Sequence, residues 1–194
     1  GKIYDSSMYQ HQITINGGMT ISTRKQKFLY GSLYFDGTDD YLTVMPDEIY
    51  SLKYRNFTID FWIYITSTPA AFTGLISTMN YNSVTPRGWT VYIHNDNKIK
   101  MTLDGGTTNI IESSAITLNQ WNHIAIVRKD TGANGLMIFV NGNLTNSNTG
   151  NQNIAAEVGC NLIIGRFYAI NYSGLYFNGF LQEIRIVDNI AKWT

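Results

Sequence analysis

Phe57-Thr58-Ile59-Asp60-Phe61-Trp62-Ile63-Tyr64-Ile65-Thr66 carries a large apolar residue at every second position. Side chains alternate between the two faces of an extended chain, so Phe57, Ile59, Phe61, Ile63 and Ile65 share one face. This stretch reads as a strand with one core face. Its other face, Thr58, Asp60, Trp62 and Tyr64, is amphipathic.

Similar segments, divided by Gly, Asn and Asp, extend in both directions from it. Gln12–Asn16 and Met19–Ser22 flank Gly17-Gly18 and read as a hairpin, and Leu33–Phe35 and Tyr41–Val44 flank the polar loop 36–40. Trp89–His94 and Lys98–Leu103 are joined by Asn95-Asp96-Asn97, residues that tolerate left-handed backbone angles. Trp121–Lys129 pairs with Leu136–Val140, and Asn141-Gly142 has the residue types a type I′ turn requires. Asn161–Phe167 and Phe180–Val187 complete the set. Pro46-Asp47-Glu48 opens at most a turn or two of helix, and the Asn-rich stretch 141–153 reads as a loop. Roughly a dozen short strands spaced in this way predict an all-β, antiparallel two-sheet sandwich.

Composition narrows the class. The 194 residues suit one domain spanning 1–194, expected to be cut from a longer chain. Charged residues are only 14%, the formal net charge is zero, and the one dense basic stretch is Arg24, Lys25 and Lys27. Nucleic-acid binding needs a basic face to displace phosphate counterions, so that class is set aside. No apolar run is long enough to insert across a bilayer. Cys160 is the single cysteine and reads as a small buried residue, leaving stability to the core.

Several of these segments, in order, resemble the laminin-G-like jelly rolls of the concanavalin A-like lectin/glucanase superfamily. The residues that carry the resemblance are Ser32–Val44 with its Phe35-Asp36-Gly37-Thr38-Asp39-Asp40 core, Phe57–Ile63, Trp121–Arg128, Ile138–Gly142, Ile163–Arg166 and Phe177–Ile186. The last stretch, Asp188–Thr194, resembles the tail of versions on bacteriophage virion proteins. The resemblance implies a concanavalin A-like sandwich, and on a phage a place on the tail or virion surface. It also implies a Ca²⁺ at the sandwich rim, for which Asp5, Asp36, Asp39, Asp40 and Glu183 are the candidates. The alternative is that these acids only close turns.

The glucanases of the superfamily use carboxylates two residues apart on one strand, in a Glu-x-Asp-x-x-Glu pattern that this chain lacks. No Gly-x-Ser-x-Gly occurs, and His11, His94 and His123 stand at no metal-ligand spacing. Binding is therefore expected rather than catalysis. Sugar platforms combine an aromatic ring with hydroxyl-binding polar groups. Tyr81, Arg87 and Trp89 in one predicted loop, and Tyr168, Asn171 and Tyr172 in another, are the candidate ligand residues. Trp62, Trp89 and Trp121 have a competing reading as core anchors. The expected function is a non-catalytic, lectin-like adhesion module on a virion or extracellular protein. It would bind cell-surface glycan without any required cofactor, multiplied through its parent chain. A structural decoration or assembly domain contacting other virion or tail proteins is the alternative, and a glycoside hydrolase ranks last.

Overall fold

The alternation of Phe57–Ile65 becomes the centre of the molecule. Phe57, Ile59, Phe61, Ile63 and Ile65 are wholly buried in the main apolar core, which is shared by two seven-stranded antiparallel sheets. A computed structural model describes residues 2–78, 88–103, 108–156, 158–169 and 172–193, the side chains of 168–169 and 172–174 excepted.

In chain order the strands of the front sheet are β1 (Ile13–Asn16), β4 (Tyr41–Val44), β6 (Thr73–Ser77), β7 (Trp89–Ile93), β8 (Lys98–Leu103), β9 (Thr108–Ala115) and β13 (Leu162–Ile164). Those of the back sheet are β2 (Thr20–Ser22), β3 (Ser32–Asp36), β5 (Phe57–Tyr64), β10 (Asn122–Arg128), β11 (Leu136–Val140), β12 (Asn143–Asn148) and β16 (Asn178–Asp188). A separate hairpin pairs β14 (Arg166–Ala169) with β15 (Tyr172–Tyr176). The front order is β1-β4-β13-β6-β7-β8-β9 and the back order β12-β11-β10-β5-β16-β3-β2. One 3-10 turn, Glu48–Tyr50, is capped by Asp47, whose carboxylate accepts from the Ile49 nitrogen. This is the two-sheet jelly-roll sandwich expected from the alternation.

The hairpin expected at Gly17-Gly18 is instead a crossing between sheets, and so is the polar loop 36–40. β1 pairs with β4 and β2 with β3, so Gly17-Gly18 carries the chain from front sheet to back. The 36–40 loop returns it, from β3 to β4. Alternation fixes a strand's faces but not its partner. The two crossings touch, because a Cβ on Gly17, which has φ +73°, would lie 2.6 Å from the Asp39 carbonyl oxygen. The other turns form as expected, with Asn141 and Gly142 both at positive φ between β11 and β12. The Asn-rich stretch expected as a loop includes strand β12. Its Asn146 and Asn148 amides donate to the Glu112 and Ile110 carbonyls of β9, closing that side of the sandwich. On the opposite side, where β1 and β2 are the edges, a cavity of about 650 Å³ opens between the sheets.

Candidate functional site

Strand pitch builds the site on the outer face of the front sheet. Trp89, Val91 and Ile93 point into the core, so Thr90, Tyr92 and His94 face outward. On β8 the same logic turns Lys98 and Lys100 outward, and Glu112 of β9 lies opposite Lys100. Phe72, at the entry to β6, lays its ring 4.7 Å from His94 and 5.3 Å from Tyr92, centroid to centroid. Beneath it, Phe167 of β14 stacks at 6.3 Å. Tyr92 and Phe167 are buried while Phe72 remains 37% exposed. The result is one open ring on a fixed aromatic base.

A charged row adjoins this ring. Lys100 Nζ lies 2.7 Å from Asp96 and 3.3 Å from Glu112, and Lys98 Nζ lies 2.5 Å from Glu112. The Lys98 bond holds Glu112 below the ordinary carboxylate range, with Lys100 adding to it against a smaller opposing effect of burial. Burial alone would raise Asp96, but bonds from Lys100 and the Lys98 backbone outweigh it and lower the group. Two carboxylates and two ammonium groups cancel in charge. The row therefore offers hydrogen-bonding groups without a net field.

Gly74 makes the arrangement possible. The β14–β15 hairpin crosses β6 there, and a Cβ on Gly74 would fall on the Phe167 nitrogen and the Arg166 carbonyl. Arg166 then lies over the paired Tyr41 and Tyr176 rings, 5.1 Å from each centroid.

The residues expected to bind ligand divide as follows. Tyr81, Arg87 and Asn171 lie outside the described residues. Tyr168 and Tyr172 fall on the two strands of the hairpin beside Phe72, their side chains outside the description. Trp89 is a correction. It is wholly buried, and its indole N–H donates to the Tyr50 carbonyl at 2.8 Å. Strand alternation on β7 places it in the core, with Val91 and Ile93. Trp62 is half-buried on the outer face of the back sheet, edge-on to Phe28, and Trp121 packs against Tyr64. The expectation overlooked Phe72, His94, Asp96, Lys100 and Glu112. The period of β7 and β8 could have signalled His94 and Lys100; Asp96 in the turn between them and Glu112 on β9 join the site only through strand pairing.

Of the five calcium candidates, the crossing loop brings three together. Ligand oxygens of Asp36, Asp39 and Asp40 lie within 4.8 Å of one another. Asp40 is 1% exposed; its Oδ2 accepts from the Asp36 nitrogen, and Oδ1 makes no hydrogen bond of good geometry. Burial raises its pKa, and the charges of Asp36 and Asp39 push the same way against backbone donors. An orphaned buried oxygen among hard carboxylate donors fits a Ca²⁺. Asp5 and Glu183 stand apart from this group. Asp5 is committed to the Ser7 and His11 nitrogens, including 2.7 Å to His11 Nδ1, while His11 Nε2 meets Asp47 at 2.8 Å. Burial would raise Asp5, but these bonds bring it down to about 2. Glu183 is exposed on the bulge of β16, with φ 52°.

Two seven-stranded antiparallel layers with this strand order define a lectin-type jelly roll. The family model described as the Concanavalin A-like lectin/glucanases superfamily, of laminin G type, matches residues 36–192, and the chain belongs to that family. Botulinum neurotoxin type E of Clostridium butyricum is 27% identical over 205 residues, covering 94% of this chain and 16% of the toxin. Among solved structures, the binding domain of botulinum neurotoxin serotype D/C superposes with a TM-score of 0.71 at 20% identity, covering 96% of this chain and 46% of that one. A structure of botulinum neurotoxin type C, whose cell entry depends on two ganglioside molecules, gives 0.73 at 16%, covering 99% and 46%. The likeness to these structures establishes the fold. The chain spans less than half of each of those two structures and a sixth of the toxin.

Proposed function

We propose that this chain is a non-catalytic carbohydrate-binding module, and that its sugar platform is the outer face of the front sheet around Phe72. The observation that carries this reading is the half-open Phe72 ring beside a rigid row of Asp96, Lys100 and Glu112. A sugar's C–H face stacks on such a ring while hydroxyls bond the carboxylates and ammonium groups. Hydrolysis would need one carboxylic acid kept protonated to deliver a proton to the leaving oxygen. Asp96 and Glu112 are both shifted the other way, toward the ionised form. With the charges of the row balanced, neutral hexoses fit the platform better than anionic ones.

Binding domains among the structural neighbours support the reading, one of them in complex with SialylT. We place the module outside the cell, on a longer protein that displays it, because single sugar sites are weak and gain from repetition. The relatives named above are bacterial toxins; the virion setting rests on Asp188–Thr194 alone.

The test is a screen of neutral glycans followed by calorimetric titration of the best binder. Phe72→Ala is expected to weaken binding about tenfold, close to 1.4 kcal/mol, with melting temperature lowered by only a few degrees and the fold kept. Equal affinity in the variant would remove the platform, and release of reducing sugar from the glycan would overturn the non-catalytic reading.

A second proposal concerns the acidic crossing. Asp36, Asp39 and Asp40 would hold a Ca²⁺ that neutralises their mutual repulsion and pins the β3–β4 and β1–β2 crossings together. Ca²⁺ at about a hundred times its dissociation constant should stabilise the fold by about 2.7 kcal/mol. Calorimetric melting with Ca²⁺ and with chelator measures this. The stabilisation should disappear in Asp39→Asn; an identical calcium response in that variant would show that the ion is not held there.

A further inference from the structure

Large apolar side chains are concentrated where the sandwich is open. Of the fourteen left exposed among the described residues, six belong to two adjacent stretches: Tyr4, Met8 and Tyr9 in one, and Phe28, Leu29 and Tyr30 in the other. Tyr4, Tyr9, Leu29 and Tyr30 all border the cavity between β1 and β2. Leu29 is 73% and Tyr30 94% exposed. Tyr30 also has φ +82°, a left-handed backbone that a bulky residue rarely adopts.

The loop is held in that shape. Buried Gln182 accepts from the Lys27 nitrogen at 2.8 Å and the Phe28 nitrogen at 3.3 Å, and donates back to the Phe28 carbonyl. Gln26 accepts from the Gly31 nitrogen, and Ser32 donates to the Lys25 carbonyl. Phe28 rests edge-on against Trp62. An anchored loop therefore projects its apolar tip into water.

Its charge is one-sided. Residues 23–31 include Arg24, Lys25 and Lys27 and no acid. Lys27 and Lys25 lie over the Trp62 and Tyr64 rings at 4.5 and 4.9 Å, which orders their stems and leaves both residues exposed. Of the nearby acids, Asp5 is bonded to His11, leaving Glu183 as the exposed counter-charge at the cavity.

We propose that this edge docks on an anionic lipid bilayer. Leu29 and Tyr30 enter the headgroup boundary, and Arg24, Lys25 and Lys27 meet lipid phosphates and carboxylates. An apolar tip backed by cations is the arrangement by which proteins lie on a membrane without crossing it. A sugar would want a flat ring flanked by acceptors, and a stable protein partner would want a broader surface than a projecting tip. The contact goes beyond sugar recognition and lies on a different part of the sandwich from Phe72.

The intact chain should co-sediment with phosphatidylcholine vesicles containing about 30% phosphatidylserine at least about tenfold more strongly than with pure phosphatidylcholine, the preference falling with added salt. Leu29→Ser/Tyr30→Ser should lower that partition about tenfold while melting temperature and sugar affinity stay as in the parent. In Tyr30→Trp, emission should shift to the blue on adding the anionic vesicles. Undiminished sedimentation of the double serine variant would overturn the proposal, as would failure of the parent to sediment. Binding confined to neutral vesicles doped with glycolipid would also overturn it and assign the edge to glycan.

Discussion

Replacing Arg128 with Met or Lys is expected to lower stability by about 3–5 kcal/mol, the largest loss of any single change proposed for this chain. Arg128 ends β10 on the core side and is wholly buried. Its five hydrogen bonds all go to backbone carbonyls: Nε to Arg55, Nη1 to Gly150 and Gln152, and Nη2 to Leu52 and Lys53. The guanidinium also lies 5.1 Å from the centre of the Phe57 ring. Burial brings its pKa down to about 10, with Arg55 repelling it further, so the group stays charged at neutral pH. One side chain thus ties segments 52–55 and 150–152 to the central strand. Methionine would fill the space but leave those carbonyls without donors. Lysine has only three donors on a point charge and cannot reproduce the planar fork. In a domain of this size each kcal/mol moves the melting temperature by about 2–4 °C, so a drop of about 10 °C is expected. Urea unfolding of both variants measures it. A loss under about 1 kcal/mol in either would mean that the loops hold themselves.

This role was only half legible in the sequence. Trp121–Arg128 is recognisable as a strand ending in arginine, but the partners of Arg128 are carbonyls, which carry no residue signature. The same limit explains the rest. Phe57–Ile65 announced its faces because a period of two is visible within one segment. Asn141-Gly142 announced its turn because few residues tolerate two positive φ angles. Gly17-Gly18 was misread as a hairpin, since turn residues show where a chain bends but not which sheet receives it. That Asp36, Asp39 and Asp40 lie together was legible because they are neighbours; where Asp5 and Glu183 lie was not, because their placement depends on long-range packing. Phe72 had no local signal at all. Only its position against Tyr92, His94 and Phe167 makes it a platform.

Dependence on distant placement also bears on how function is distributed in the relatives. The neurotoxin binding domains are about twice the length of this chain, so what they bind does not pass to it through the shared fold. Phe72 and the balanced row would meet sugar, and the Leu29–Tyr30 tip would meet lipid. The two surfaces use different sheets, one balanced in charge and the other cationic. A module attached to a membrane by one edge would still leave the front sheet free for a glycan displayed on the same membrane.

Gly74→Ala should separate platform from scaffold. The added methyl group would land on backbone atoms of Phe167 and Arg166, which cannot swing aside as a flexible side chain does. Overfilling a packed contact costs about 1–3 kcal/mol, and here relief requires lifting the β14–β15 hairpin from β6. Lifting it withdraws Phe167 from under Phe72 and loosens the base of the ring. The expected result is a fall of about 5–10 °C in melting temperature together with at least a tenfold loss of sugar affinity. Gly142→Ala supplies the comparison. Nothing lies within 4 Å of its added Cβ, but its φ of +80° strains any other residue, so about 1 kcal/mol of stability should go with affinity intact. Amide shifts in nuclear magnetic resonance spectra should cluster at Phe72, Tyr92 and His94 for the first variant and at the β11–β12 turn for the second. Should Gly74→Ala melt and bind like the parent, the hairpin would not be seated on β6 in solution, and Phe72 would lose the support on which the sugar platform depends.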